Sequence, residues 1–288
     1  MKKILVPTDF SEQAKNALDF AIQIARRSEA AIILLNVLDY PGLSTVWMGG
    51  LNIIGGTEPP ADHLDETFVN SLLDKAKDEL ADSIRTAGGT GMNITPKVEI
   101  GNPYFCISEK ITAEDINLVV MGTRGISGLE DVLIGSTAEK VVRLSQCPVI
   151  TIKQKCELNK IKHMIFASNF EEKQDHIVEE LLKMQQILDA TLHLVKVNTP
   201  NNFQSNQVMT REMKEFVEKY GIRKYTTNLY NDYLEEDGII HFAEDIDADM
   251  ISLATHGRTG LMHLLSGSIA EDVVNHARRP VWTCRIKN

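Results

Sequence analysis

Two stretches of this chain are copies of one another, and that copying restricts the fold to a pair of related domains. Residues 121–143 read MGTRGISGLEDVLIGSTAEKVVR, and residues 253–275 read LATHGRTGLMHLLSGSIAEDVVN. Aligned without a gap at a constant offset of 132 positions, they share Thr123/Thr255, Gly125/Gly257, Gly128/Gly260, Leu129/Leu261, Leu133/Leu265 and the pair Gly135-Ser136/Gly267-Ser268. The run Ala-Glu-x-Val-Val is also common to both. A second match sets Pro7-Thr8-Asp9-Phe10 against Ala167-Ser168-Asn169-Phe170, now at an offset of 160. The first copy therefore carries about 28 extra residues, most of them in the Gly/Pro-rich stretch Pro41–Ala61. A repeat of this length predicts two tandem units. They are expected at 1–154 and 160–288, joined through the polar stretch Gln154–Lys160.

Each half has about 140 residues, enough for a core of its own. No apolar run reaches the length of a membrane-spanning helix, so no membrane partner is expected. Lys2 and Lys3 stand only four residues before Thr8-Asp9, too close for a signal-peptide core, and a cytoplasmic location is expected. The net charge of −10 argues against a nucleic-acid partner, which calls for a basic face. It does not exclude a small anion, which backbone N–H groups at a helix start hold without a basic side chain. Cys106, Cys147, Cys156 and Cys284 form no CxxC or CxxH pattern and read as buried thiols in a reducing compartment.

Apolar runs alternate with helical patterns. In the first half the predicted strands are Ile4–Pro7, Ala30–Leu38, Ile94–Ile100, Leu118–Met121 and Val149–Lys153, and the predicted helices are Ser11–Ser28, Thr67–Thr86, Tyr104–Ile116 and Ser136–Leu144. In the second half the strands are Met164–Ala167, Leu192–Val197, Arg223–Leu229, Met250–Ala254 and Val281–Ile286. The helices there are Glu171–Leu188, Val208–Lys219, Leu234–Asp245 and Ile269–His276. Strands apolar almost throughout and separated by helices predict a parallel sheet covered on both faces, so each half is an α/β unit with five parallel strands. Such sheets bind ligands at the carboxyl ends of the strands where the strand order reverses. Pro7-Thr8-Asp9 follows strand 1 and Gly122-Thr-Arg-Gly125 follows strand 4. One crevice collects both if those strands are neighbours.

The chemistry of that crevice suits a nucleotide. Gly122 and Gly125 let a loop approach a ligand closely. Gly135-Ser136 opens a helix whose leading N–H groups and dipole favour phosphate. Asp9 can accept from ribose hydroxyls or hold a cation carried by phosphates. The strand end at Val37 can flank a base, and Arg124 is either a phosphate contact or a solvated loop residue. A purely structural reading is equally open for part of this. Ser136/Glu139 and Ser268/Glu271 have capping-box spacing, which starts a helix without any ligand, and glycines after strands are ordinary turn residues.

The combination G-x2-G-x9-G-S with an aspartate after strand 1 resembles the universal stress protein family, in a tandem two-domain form, over nearly the whole chain. The family's ATP-binding pattern is complete in the first half as Gly122, Gly125, Gly135 and Ser136. The resemblance implies two tandem Rossmann-like domains of the adenine nucleotide alpha hydrolase type, arranged as an intramolecular pseudo-dimer. It implies that Pro7, Thr8 and Asp9 lie beside the nucleoside and that Val37 meets the adenine through its backbone. Gly125, Gly135, Ser136 and Thr137 would hold the phosphates of ATP, with Mg2+ as an accompanying cation. The second half departs at Ala254 and Asn169, which replace the first glycine and the aspartate, and its site is expected to be weaker or empty.

No GxSxG, HExxH or GxxxxGK(S/T) is present, so nothing is placed to cleave a nucleotide quickly. The expected function is that of an ATP-binding stress-response or regulatory protein. The rivals are a slow metal-dependent ATPase or phosphotransferase using Asp9, and an interaction module with a vestigial site. Expected partners are an adenine nucleotide and an unidentified protein; assembly of the whole chain into a homodimer stays open. His256 and His263 lack further ligands at metal spacing. The apolar insertion with Leu43, Val46, Trp47, Met48, Leu51, Ile53 and Ile54 covers the first site, packs on the other domain or presents a partner surface. Finally, each half ends in an apolar strand at a sheet edge, a liability that pairing removes. The two final strands are therefore expected to meet.

Overall fold

The structure is a computed structural model, and it describes residues 1–39, 66–123, 134–170, 174–255 and 269–285. The apolar runs become strands buried on both sides: Ile4, Leu5 and Val6 are all 0% exposed in β1 (Lys3–Thr8). The first half continues with α1 (Glu12–Ser28), β2 (Ala31–Leu38), α2 (Glu66–Thr86) and β3 (Ile94–Ile100). It ends with α3 (Pro103–Ala113), β4 (Leu118–Gly122), α4 (Ser136–Leu144) and β5 (Val149–Ile152). The second half repeats the order as β6 (His163–Ala167), α5 (Asp175–Leu188), β7 (Thr191–Asn198), α6 (Asn206–Tyr220) and β8 (Tyr225–Asn231). It closes with α7 (Glu235–Asp245), β9 (Met250–Thr255), α8 (Ile269–His276) and β10 (Val281–Arg285).

All ten strands form one sheet in the order β3-β2-β1-β4-β5-β10-β9-β6-β7-β8. Pairing is parallel throughout each half, and β1 lies between β2 and β4. The strand order thus reverses at β1/β4, where the two motifs were expected to converge. The halves join through β5 and β10, the only antiparallel pair among the described strands, with Val281 opposite Thr151, Trp282 opposite Ile150 and Thr283 opposite Val149. Under the offset of 132, Ile150 and Trp282 are copies of each other, and the two flanking pairs exchange their copies. That is the signature of an isologous two-fold contact. The side-chain bonds obey it as well: Thr151 Oγ1 donates to Val281 O and Thr283 Oγ1 donates to Val149 O, both at 3.4 Å. The expected meeting of the final strands is observed, and the edge of each half is covered by the other.

Helices cover both faces, and each face carries one apolar core that runs through both halves. On one face α1 meets α5, and Arg27 donates to the last carbonyls of α5, Ile187 O at 2.9 Å and Leu188 O at 3.4 Å. On the other face α4 meets α8. The polar stretch Gln154–Lys160, expected to join the halves, is docked on α1. Gln23 on α1 donates to Cys156 O at 3.2 Å and accepts from Leu158 N–H at 2.8 Å, and Leu158 is buried. Burial pushes the Cys156 thiol up to about 11, so it is protonated and unreactive at neutral pH. None of the four cysteines is in a disulfide.

Boundaries shift where local chemistry overrides periodicity. Helix α3 starts at Pro103 because the Asn102 side chain accepts from Tyr104 and Phe105 N–H, and Pro suits a first helical position. It stops at Ala113, not Ile116, with Asp115 at φ 51. Strand β8 begins two residues later than expected, after Lys224 at φ 56.

Candidate functional site

The crevice is built from the carboxyl ends of β1, β2 and β4 and the start of α4. At the end of β1 the chain turns through Phe10, whose φ is 67. Thr8 and Asp9 hold this turn with their own side chains: Thr8 Oγ1 accepts from Phe10 N–H at 3.0 Å and Asp9 Oδ1 from Ser11 N–H at 3.1 Å. Ser11 then caps α1 by accepting from Ala14 N–H. Short polar side chains that bond two residues ahead fix such turns.

At the end of β4, the two ends of the loop are tied together: Gly135 N–H donates to Thr123 O at 2.7 Å. Helix α4 begins directly after, with Gly135 as its N-cap (φ −66, ψ 146) and no side-chain cap bond. The first backbone bond of the helix runs from Glu139 N–H to Gly135 O. The N–H groups of Ser136, Thr137 and Ala138 precede it and have no acceptor within the helix. The capping-box alternative therefore fails at Ser136, which is the first helical residue and not the cap. Glu139 instead faces Arg143. What remains is a helix start whose leading N–H groups have no acceptor among the described residues, tied to the end of β4 next to β1, the arrangement that attracts an anion.

Gly122 has a different task from the one its place in the motif suggests. A Cβ there would lie 2.9 Å from Gln13 Cβ, 3.0 Å from Gln13 C and 3.1 Å from Ala14 N. This glycine lets the first turn of α1 press onto β4, and the contact is sealed by Thr123 Oγ1 donating to Gln13 Oε1 at 2.8 Å. In the second half its copy is Ala254. There α5, the counterpart of α1, spans Asp175–Leu188. Val37 lies on β2 and packs, with Tyr104 and Ile134, against the core on the α3/α4 face. Pro7 pairs with Leu35. Arg124 and Gly125, like Gly257, Gly267, Ser268, His256, His263 and the apolar insertion, lie outside the described residues. Among the described residues no group of three His, Cys, Asp or Glu side chains is placed to hold a metal.

The structure adds one residue that sequence reading missed. Asn36, 5% exposed on β2, donates through Nδ2 to Thr8 O at 2.8 Å. Its Oδ1 is buried and has no partner among the described residues. A buried acceptor left unpaired costs about 1–3 kcal/mol and calls for an explanation. The signal was a lone amide inside the apolar run AIILLNVL.

In the second half the corresponding groups after β6 and on β7 have internal partners, while Thr255 Oγ1, the copy of Thr123 Oγ1, is buried without one among the described residues. The copy of Asn36 is Lys196, 7% exposed, which donates to Asn169 O at 3.0 Å and pairs with Glu212 at 2.6 Å. The buried amide Gln174 accepts from Ser168 Oγ at 3.0 Å and donates to Asn169 Oδ1 at 3.1 Å. The side chains copied from Thr8, Asp9 and Asn36, those of Ser168, Asn169 and Lys196, are thus spent on Gln174 and Glu212 and on the Asn169 carbonyl.

The universal stress protein family profile matches residues 1–48, 55–153 and 160–285. The chain belongs to the universal stress protein family. The break in the match at 49–54 falls inside the Pro41–Ala61 insertion. Two relatives from Methanocaldococcus jannaschii match about half of the chain. Universal stress protein MJ0577 is 28% identical over 155 residues, 54% of this chain and 96% of its own length. Universal stress protein MJ0531 is 31% identical over 156 residues, 53% and 82% respectively. A universal stress protein from Archaeoglobus fulgidus is alike over both halves: its crystal structure covers 99% of this chain, with a TM-score of 0.72 and 22% identity. At that identity the likeness establishes the fold. No helix among the described residues is long and apolar enough to cross a membrane.

Proposed function

We propose that this universal stress protein binds one molecule of ATP, in the crevice of its first domain, residues 1–154, and acts as a nucleotide-dependent regulatory protein. The observation that carries the reading is the start of α4. Its cap is a glycine without a side chain, its first N–H groups have no acceptor in the helix, and it stands at the strand-order reversal. The buried Oδ1 of Asn36 supplies a second, independent reason to expect a donor in the crevice.

Gly125, Gly135, Ser136, Thr137 and Arg124 take the phosphates in this reading. Pro7, Thr8 and Asp9 flank the ribose, Gly122 holds the crevice wall against α1, and Val37 borders the adenine. Asp9 would hold Mg2+ carried in with the phosphates. The second domain, residues 160–288, contributes no second site of comparable strength, because Lys196, Glu212 and Gln174 already occupy the corresponding groups.

Mass spectrometry of ligand released from the protein purified without added nucleotide tests the reading. Intact ATP is the expected result. ADP that accumulates with phosphate release would replace the binder by a slow ATPase. A ligand-free protein that also fails to take up ATP would leave an interaction module.

A further inference from the structure

The loop that precedes α4 is held at two successive backbone N–H groups before any is left for a ligand. Gly135 N–H is taken by Thr123 O within the first half. Ile134 N–H is taken from the other half: it donates to Asn275 Oδ1 at 2.7 Å. Asn275 lies in the last turn of α8 and is itself gripped by the first half, because Lys153, just after β5, donates to Asn275 O at 2.6 Å. Helix α8 packs on α4 over the same face of the sheet. The side chain of Ile134 rests on the core beneath.

We infer that Asn275 is a positioning residue contributed by the second domain to the nucleotide site of the first. Its carbonyl oxygen sets the direction of the chain entering Gly135, and hence where the N–H groups of Ser136 and Thr137 aim. The second domain, whose own Ser168, Asn169 and Lys196 bond to its own groups, is in this way part of the first domain's site. This inference rests on the ATP-binding reading above.

The brace runs in one direction only. Under the offset of 132, the copy of Asn275 is Arg143 and the copy of Ile134 is Ser266. A guanidinium has donors and no acceptor, so Arg143 is unable to receive a backbone N–H from the second loop. Arg143 instead faces Glu139 at 3.5 Å. The asymmetry between the two crevices is therefore written at the domain interface as well as within the crevices.

The test uses the full-length chain. Asn275→Ala places a better helix former in α8, so the helix is retained. Two measurements are made: amide hydrogen exchange at Ile134 without nucleotide, and ATP affinity by calorimetry. The expected result is faster exchange at Ile134, unchanged protection in β5, and ATP affinity weaker by about tenfold, the worth of one hydrogen bond near a charged ligand. Asn275→Asp keeps an acceptor oxygen and should restore slow exchange at Ile134, a rescue that general loosening of the interface would not give. Lys153→Met removes the grip on Asn275 and should shift both measurements the same way by less. Unchanged exchange in Asn275→Ala overturns the brace, and faster exchange with unaltered ATP affinity overturns the positioning role. A wild-type chain that ignores ATP sinks the underlying reading and is told apart from a failed brace, because the exchange measurement needs no nucleotide.

Discussion

Gly135→Val is expected to abolish ATP binding, by at least about a hundredfold in affinity, while the protein stays folded. The backbone at Gly135 has φ −66 and ψ 146, an extended conformation that valine adopts without strain. The glycine is therefore not demanded by the backbone conformation. Its missing side chain leaves the leading N–H groups of α4 open to close approach. Valine is a poor N-cap, and its cost to stability is about 1 kcal/mol. Calorimetric titration with ATP, alongside thermal unfolding, separates the two effects. Wild-type affinity in the variant would remove the phosphate from this helix start. Gly122 offers the contrast, because the atoms a side chain would meet there belong to α1, two of them backbone.

The second large effect concerns the join between the halves. Trp282 is 0% exposed, lies opposite Ile150 in the β5/β10 ladder, and is among the largest fully buried side chains. It belongs to the core that runs under α1 and α5. Trp282→Ala is expected to cost about 3–5 kcal/mol, the range for removing a large aromatic from a packed interior. For domains of this size the melting temperature should fall by roughly 10 °C. Because the ladder joins both halves, a single transition at lower temperature is expected for both. A loss under 1 kcal/mol in denaturant unfolding would show that the pairing adds little to the fold.

Much of this architecture was legible because it depends on local patterns. Apolar runs such as AIILLNVL and LVVMG could only be strands covered on both sides, and the repeat placed them twice. The meeting of β5 and β10 followed from the cost of an open apolar edge. The neighbouring ends of β1 and β4, at Thr8 and Gly122, followed from the expected strand-order reversal. What could not be read depends on partners distant in sequence. The linker at Gln154–Lys160 is polar in composition, yet it docks because Gln23 on α1 bonds to both Cys156 and Leu158. Spacing alone could not decide between a capping box and an open helix start, since Ser136 and Glu139 fit the motif whether or not Gly135 is the cap. The roles of Asn36 and Lys196 emerge only when β1 and β2, or β6 and β7, are set in register, and that of Asn275 only when the halves are joined.

The central claim is one ATP site per chain, in the first half. Titration of the full-length protein with ATP by isothermal calorimetry tests it most directly. A single binding event with a stoichiometry of one ATP per chain is the predicted result, and Lys196→Asn in the second crevice should leave that event unchanged. Two equivalent sites, or no heat and no bound nucleotide, would contradict the account.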